Sequence, residues 1–171
     1  SREERRSAAE LLGVGGPQAP AESLALIECW LPEIESAATA AALGEYAFAP
    51  LWLASPAAHL ERARAWAAHP HKWIRRFAVA ALGPLAKDRQ WDDLPGALEV
   101  LRGAMAETEP EVRRAVAAVI ADLIPKSPLE LSRFLHEQAA HADSNTHWII
   151  RAVMSNLPPE DQEAILRVMR A

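Results

Sequence analysis

Three arginines recur at one position in three related segments of this chain. They are Arg76 in WIRRFAVAAL, Arg114 in EVRRAVAAVI and Arg151 in WIIRAVMSNL, with successive copies 38 and 37 residues apart and Ile74, Val112 and Ile149 in register. A guanidinium is permanently charged, and its planar fork of donors matches a phosphate bidentately. Each copy reads as a helix. At about 100° per residue, Ile74, Phe77, Ala78, Ala81 and Leu82 form one apolar arc, with Arg76 opposite it and Arg75 on its shoulder. The same register sets Arg114 and Arg151 opposite their own cores, so the three arginines form a ladder with one rung per repeat. A plain solvated helix face, pairing with carboxylates of neighbouring helices, and contact with a phosphodiester backbone all fit such a ladder.

On the backbone reading the candidate DNA-binding residues are Lys72, Trp73, Arg75, Arg76, Arg113, Arg114 and Arg151. Trp66, Trp73 and Trp148 could stack on bases, although at helical spacing among apolar neighbours such residues are more often core; Trp73, which borders the arginines, has the better claim to a functional role. Trp30 and Trp52 read as core and Trp91 as a loop anchor. No histidine pair has the spacing of a helical zinc site and no H-E-x-x-H occurs, so no metal and no cofactor is expected. Asp92-Asp93 before a leucine-rich run reads as a helix N-cap. No catalytic residue can be assigned from spacing. Cys29, the one cysteine, lies between leucines and Trp30 and reads as a buried structural thiol.

The elements that must position the ladder are helices. Alanine and leucine dominate the apolar half of the 171 residues, and no stretch alternates with period two. Proline, glycine, serine and aspartate punctuation divides the chain into helices at 2–13, 21–35, 36–53, 56–68, 72–86, 94–106, 110–124, 128–140, 145–156 and 159–170. Two helices per unit and a period near 38 predict an all-α, HEAT-like helical-repeat solenoid (an α-α superhelix), in which each unit's second helix lines a concave surface. The chain is expected to form a single domain over 1–171, with a short N-terminal helix and flexible linker over 1–20 and repeats over 21–171.

The charge is acidic overall, with 18 Lys and Arg against 23 Asp and Glu for a net −5. It is unevenly spread. From Ser7 through Glu61 there is no Lys or Arg, and then Arg62, Arg64, Lys72, Arg75 and Arg76 follow with no acid among them. A basic stripe on an acidic molecule is therefore expected. No run approaches the length of a membrane span, and the charged start is unlike a signal peptide, so a cytoplasmic protein without membrane contact is expected.

LERARAWAAHPHKWIRRFAVAAL, Leu60 to Leu82, resembles the bacterial DNA alkylation repair family, alkylpurine DNA glycosylases built from HEAT-like repeats, whose pattern includes W-[IVL]-R-R-x-A. EVRRAVAAVIADLIPKSPLELSRFL, Glu111 to Leu135, is similar to a later family segment, and LGEYAFAPLWLASP to the one before the Trp-rich helix. The resemblance covers about 37–135. It implies double-stranded DNA, possibly alkylated, as partner. The family's W-D-x-x-D segment, whose aspartate stabilises the sugar as positive charge develops, corresponds to ESAATAAA, Glu35 to Ala42, with neither Trp nor Asp; Glu33, Glu35 and Glu45 are the nearby carboxylates. The family's aromatic in G-W-A-L-R-E falls on Ala118. The expectation is thus a protein that binds DNA backbone in a concave, arginine-lined groove, with glycosylase (hydrolase) activity weak or lost. The alternative is a non-catalytic protein-interaction scaffold.

Overall fold

A computed structural model describes residues 2–141 and 143–171; Ser1 and Ala142 lie outside the described residues. All regular structure among the described residues is helical. The elements are α1 (Arg2–Gly15), α2 (Pro20–Trp30), α3 (Ala37–Ala42), a π-helical segment (Leu43–Phe48), α4 (Ala49–Ala54), α5 (Pro56–Ala67), α6 (Lys72–Lys87), α7 (Leu94–Ala104), α8 (Pro110–Leu123), α9 (Pro128–Ala139), α10 (Ser144–Val153) and α11 (Pro159–Arg170).

They stack as a two-layer array compatible with a helical-repeat solenoid. One layer runs from α1 through α3 and the π segment to α6, α8 and α10; the other holds α5, α7, α9 and α11. The pairs α5/α6, α7/α8 and α9/α10 carry the arginine copies on their second members. Side-chain caps start several helices: Ser36 accepts from the Thr39 amide at 3.2 Å, Asp93 from Gly96 at 3.2 Å and Asp143 from Thr146 at 2.9 Å. Each satisfies a donor the first helical turn leaves free.

Helix α6 lies at the centre. Its arc of Ile74, Phe77, Ala78, Ala81 and Leu82 is buried as the register predicts, and Val79 and Ala80 are buried as well because the π segment and α8 cover its flanks. Phe48 of the π segment meets Trp66 and Phe77 with ring centroids 5.0 and 5.6 Å away, and Trp52 is fully buried beside it. Such tilted and edge-on aromatic pairs add about 1 kcal/mol each beyond the area they bury.

The expected helix over 36–53 is one continuous helical run, but it carries the π segment in its middle. Gly44 explains how this segment seats on α6: a Cβ there would stand 2.4 Å from the Phe77 carbonyl oxygen. The expected linker is also differently built. α1 continues to Gly15 and a single 3-10 turn, Gly16–Gln18, joins it to α2. Gly13 serves contact here, since a Cβ on it would overlap the Tyr46 carbonyl.

One expectation is overturned: Cys29 is exposed. Helix α2 turns Ser23 and Ile27 inward, and a residue two beyond Ile27 points about 200° away from it. Trp30 is only partly buried, against the core.

Candidate functional site

Side chains from three neighbouring elements border a hollow of about 510 Å³ between the π segment, α6 and α8. Arg76, Lys87 and Arg114 supply its positive charge, and Glu45, Glu111 and Asp122 its negative charge. Its floor is low because Ala80, Gly83, Ala115 and Ala118 line it. The short side chains let a ligand approach the helices closely.

Arg76 and Arg114 thus share one face, as their common register demands. They are held differently. Arg114 is exposed and loosely paired with Glu111 of its own helix at 3.5 Å. Lys87 reaches Asp122 of α8 at 3.2 Å. Arg76 makes no ion pair or hydrogen bond among the described residues, and its Nε is buried without a partner. Burial lowers its pKa, opposed by the fields of Glu111 and Glu45, with Arg114 adding a smaller lowering. An arginine stays charged regardless, so the cost appears as a buried Nε with no acceptor, while the rest of the side chain borders the hollow. Arg151 is exposed on α10, outside this hollow.

The other candidate residues turn to the seams between repeats. Arg75 forks onto Glu107 in the α7–α8 turn, Nε to Oε2 at 2.7 Å and Nη2 to Oε1 at 2.9 Å, and its Nη1 also donates to the His69 and Pro70 carbonyls. Both side chains are largely buried, 17% and 4% exposed. Burial alone would raise the Glu107 carboxyl. Arg75 and the Glu109 and Thr108 amides outweigh it and hold the group below its ordinary range. Lys72 pairs with Glu109 at 3.2 Å and covers the Trp73 ring at 4.8 Å. One repeat later Arg113 donates to the Asn145 side chain and stacks 4.6 Å over Trp148. Arg75 to Glu107 and Arg113 to Asn145 bridge equivalent places, each spanning 32 residues, but Arg113 does so through Nη1 alone and its buried Nε has no partner. The outer layer repeats itself likewise, with Arg64 to Glu99 and Arg102 to Glu137.

Among the tryptophans, Trp66 belongs to the core, Trp91 is buried beneath Lys126, and Trp148 is the most open. Asp93 caps α7 as its position before the leucine run predicts.

Glu45 is the residue that sequence reasoning passed over as unassignable. The π segment turns it into the hollow. Burial raises its pKa, and the fields of Lys87, Arg76 and Arg6 offset part of that rise. π-helical turns are rare and recur at functional sites, but nothing in the side chains of LGEYAF announces one.

A helical-repeat array with a mixed-charge hollow on its second helices defines the class. Within it, residues 1–157 match the family model described as DNA alkylation repair enzyme, and the chain belongs to that family. The match extends the resemblance beyond 37–135 to α1, α2 and α10. No curated protein and no solved structure matches the chain. No helix among the described residues is long and apolar enough to cross a membrane.

Proposed function

We propose that this member of the DNA alkylation repair family holds duplex DNA by its backbone in the hollow between the π segment, α6 and α8, and excises alkylpurines weakly or not at all. The observation that carries the reading is Arg76: a half-buried guanidinium with an orphaned Nε, beside Arg114 and Lys87 on a floor of small residues. Its Nε is closed to solvent, so a phosphate in the hollow would take the terminal Nη donors, which make no hydrogen bond or ion pair among the described residues. Lys72, Arg75 and Arg113 are engaged across repeat seams and serve the track by fixing the distance between its rungs. Arg151 is free to continue it on α10.

Weak or absent excision follows from what borders the track. Breaking a glycosidic bond needs charge stabilisation at the sugar and a surface to hold an extruded base. The stretch matching the family's aspartate segment, Glu35 to Ala42, has neither Trp nor Asp and its one carboxylate, Glu35, precedes α3, and the family's aromatic is replaced by Ala118. The carboxylates that line the hollow are Glu45, Glu111 and Asp122.

Fluorescence anisotropy with a labelled duplex tests binding. Arg76→Ala/Arg114→Ala should lower affinity and reduce the slope of log K against log salt by about 2. No binding of the unaltered protein to any duplex at low salt would overturn the reading. For chemistry, base release from N7-methylguanine DNA should stay near the spontaneous rate; release well above it would establish an active glycosylase. A scaffold role is favoured by the one-to-one match of Arg76, Lys87 and Arg114 with Glu45, Asp122 and Glu111, and the absence of duplex binding would select it.

A further inference from the structure

Glu45 lines a second hollow as well. This one, about 350 Å³, lies between α1 and the α3–π run, bordered by Glu3, Arg5, Arg6, Glu45 and Tyr46 over alanines of α3. The two hollows therefore meet at one side chain, and together they cross the whole layer from α1 over the π segment and α6 to α8. We propose that the phosphate track continues past Glu45 onto α1, where Arg5 and Arg6 form a second anchor for the same DNA backbone. This rests on the backbone-binding reading above.

Three observations carry the extension. First, cations stand at both ends, Arg5 and Arg6 at one and Arg76, Lys87 and Arg114 at the other, with Glu45 at the join. A carboxylate at the join repels a phosphate seated on it, so phosphates settle on either side. Second, Arg6 is set in place for a partner outside the helix: its Nε holds Glu10 at 2.8 Å, its Nη2 donates to the Tyr46 hydroxyl at 3.3 Å, and its guanidinium lies 5.2 Å over the Tyr46 ring. Arg5 has no hydrogen bond or ion pair among the described residues and is exposed. Third, the floor between the anchors consists of Ala38, Ala41 and Ala42, so a backbone can lie close to α3. From α1 to α8 is three interaxial steps, on the order of 25–30 Å. That is roughly eight base pairs at ~3.4 Å each.

The test compares the full chain with Arg5→Ala/Arg6→Ala, with Arg5→Ala alone and with Arg76→Ala, on a duplex of about 16 base pairs over a salt series. The double variant should bind roughly tenfold more weakly at low salt and lose close to 2 from the slope, and Arg5→Ala should lose about 0.9. Arg5 holds nothing in the fold, so its variant stays folded even where loss of the Arg6–Tyr46 contact loosens α1. If Arg76→Ala weakens binding while both α1 variants keep the affinity and slope of the unaltered chain, the second anchor is refuted and the first stands. If the unaltered chain binds no duplex, both fall.

Discussion

Arg75 and Arg76 are adjacent in sequence and belong to two regions with opposite uses for the same guanidinium. On the seam side Arg75 spends four of its five donors, on a two-pronged ion pair with a nearly buried carboxylate and on two backbone carbonyls. On the groove side Arg76 is burdened by burial and left short of acceptors. On the seam the charged groups are paired with partners of the next repeat, although Arg113, like Arg76, keeps a buried Nε without an acceptor. A binding role leaves donors waiting, and the native state bears the cost until a ligand arrives. The 100° turn between neighbouring helical residues is enough to separate the two.

The sharpest way to break this contrast is at Glu107. Glu107→Gln removes the charge on which Arg75 rests, and losing one partner of a largely buried pair costs about 3 kcal/mol. Urea denaturation should show it. Glu107 is held below its ordinary value near 4.5, so the folded state binds this proton less readily than the unfolded chain. Its contribution is complete above the unfolded carboxylate pKa and disappears as pH falls through that range to the folded value. The Gln variant should lack that part of the acid slope.

Gly44→Ala should come next, at about 2 kcal/mol, because the added methyl meets backbone of α6 rather than a side chain that can swing away. It pushes on the π segment that carries Glu45, so it should also change duplex affinity, which Glu107→Gln should change less. Arg113→Ala, the second-seam counterpart of Arg75, should cost about 1–2 kcal/mol, since its partners are a neutral amide and a partly open tryptophan. Arg76→Ala should move stability by no more than about 0.5 kcal/mol in either direction while weakening duplex binding and taking about 0.9 from its salt slope. A large loss of stability there would erase the distinction between the two sides.

The smallest effect belongs to His59, which is buried with its ring edge against Phe48, 5.7 Å between centroids, and its Nδ1 unpartnered. Burial first, and then Arg62, push its pKa below the ordinary 6.5. Stability from this site is complete above that value and declines as pH falls below it, because the unfolded chain takes up the proton first. His59→Phe should flatten the melting temperature between about pH 7 and 5, independently of either arginine.

The repeat architecture was legible in the sequence because Ile74, Val112 and Ile149 keep register over two periods, and helical register alone decides which face each arginine takes. Proline and capping residues marked most helix starts within a few positions. What was illegible depended on distant partners. Nothing near Arg75 announces Glu107, which lies 32 residues ahead and meets it only when repeats stack. The π segment has no side-chain signature; it is imposed by how Gly44 lets the chain settle on α6. The glycines of the 13–20 stretch suggested flexibility, yet Gly13 is there because α1 touches Tyr46. Cys29 carried apolar neighbours in sequence, but the side facing the core was taken by Ser23 and Ile27.

The two seams are closed at equivalent places by different chemistry, a carboxylate gripped by two prongs between the first pair of repeats and an amide by one between the second, and at the third copy the equivalent of Arg75 and Arg113 is the buried Ile150. An amide does not titrate and an isoleucine has nothing to release. Acid below the ordinary carboxylate range should therefore loosen this array like a zipper with one soluble tooth, parting α6 from the α7–α8 turn while α8 and α10 remain clasped.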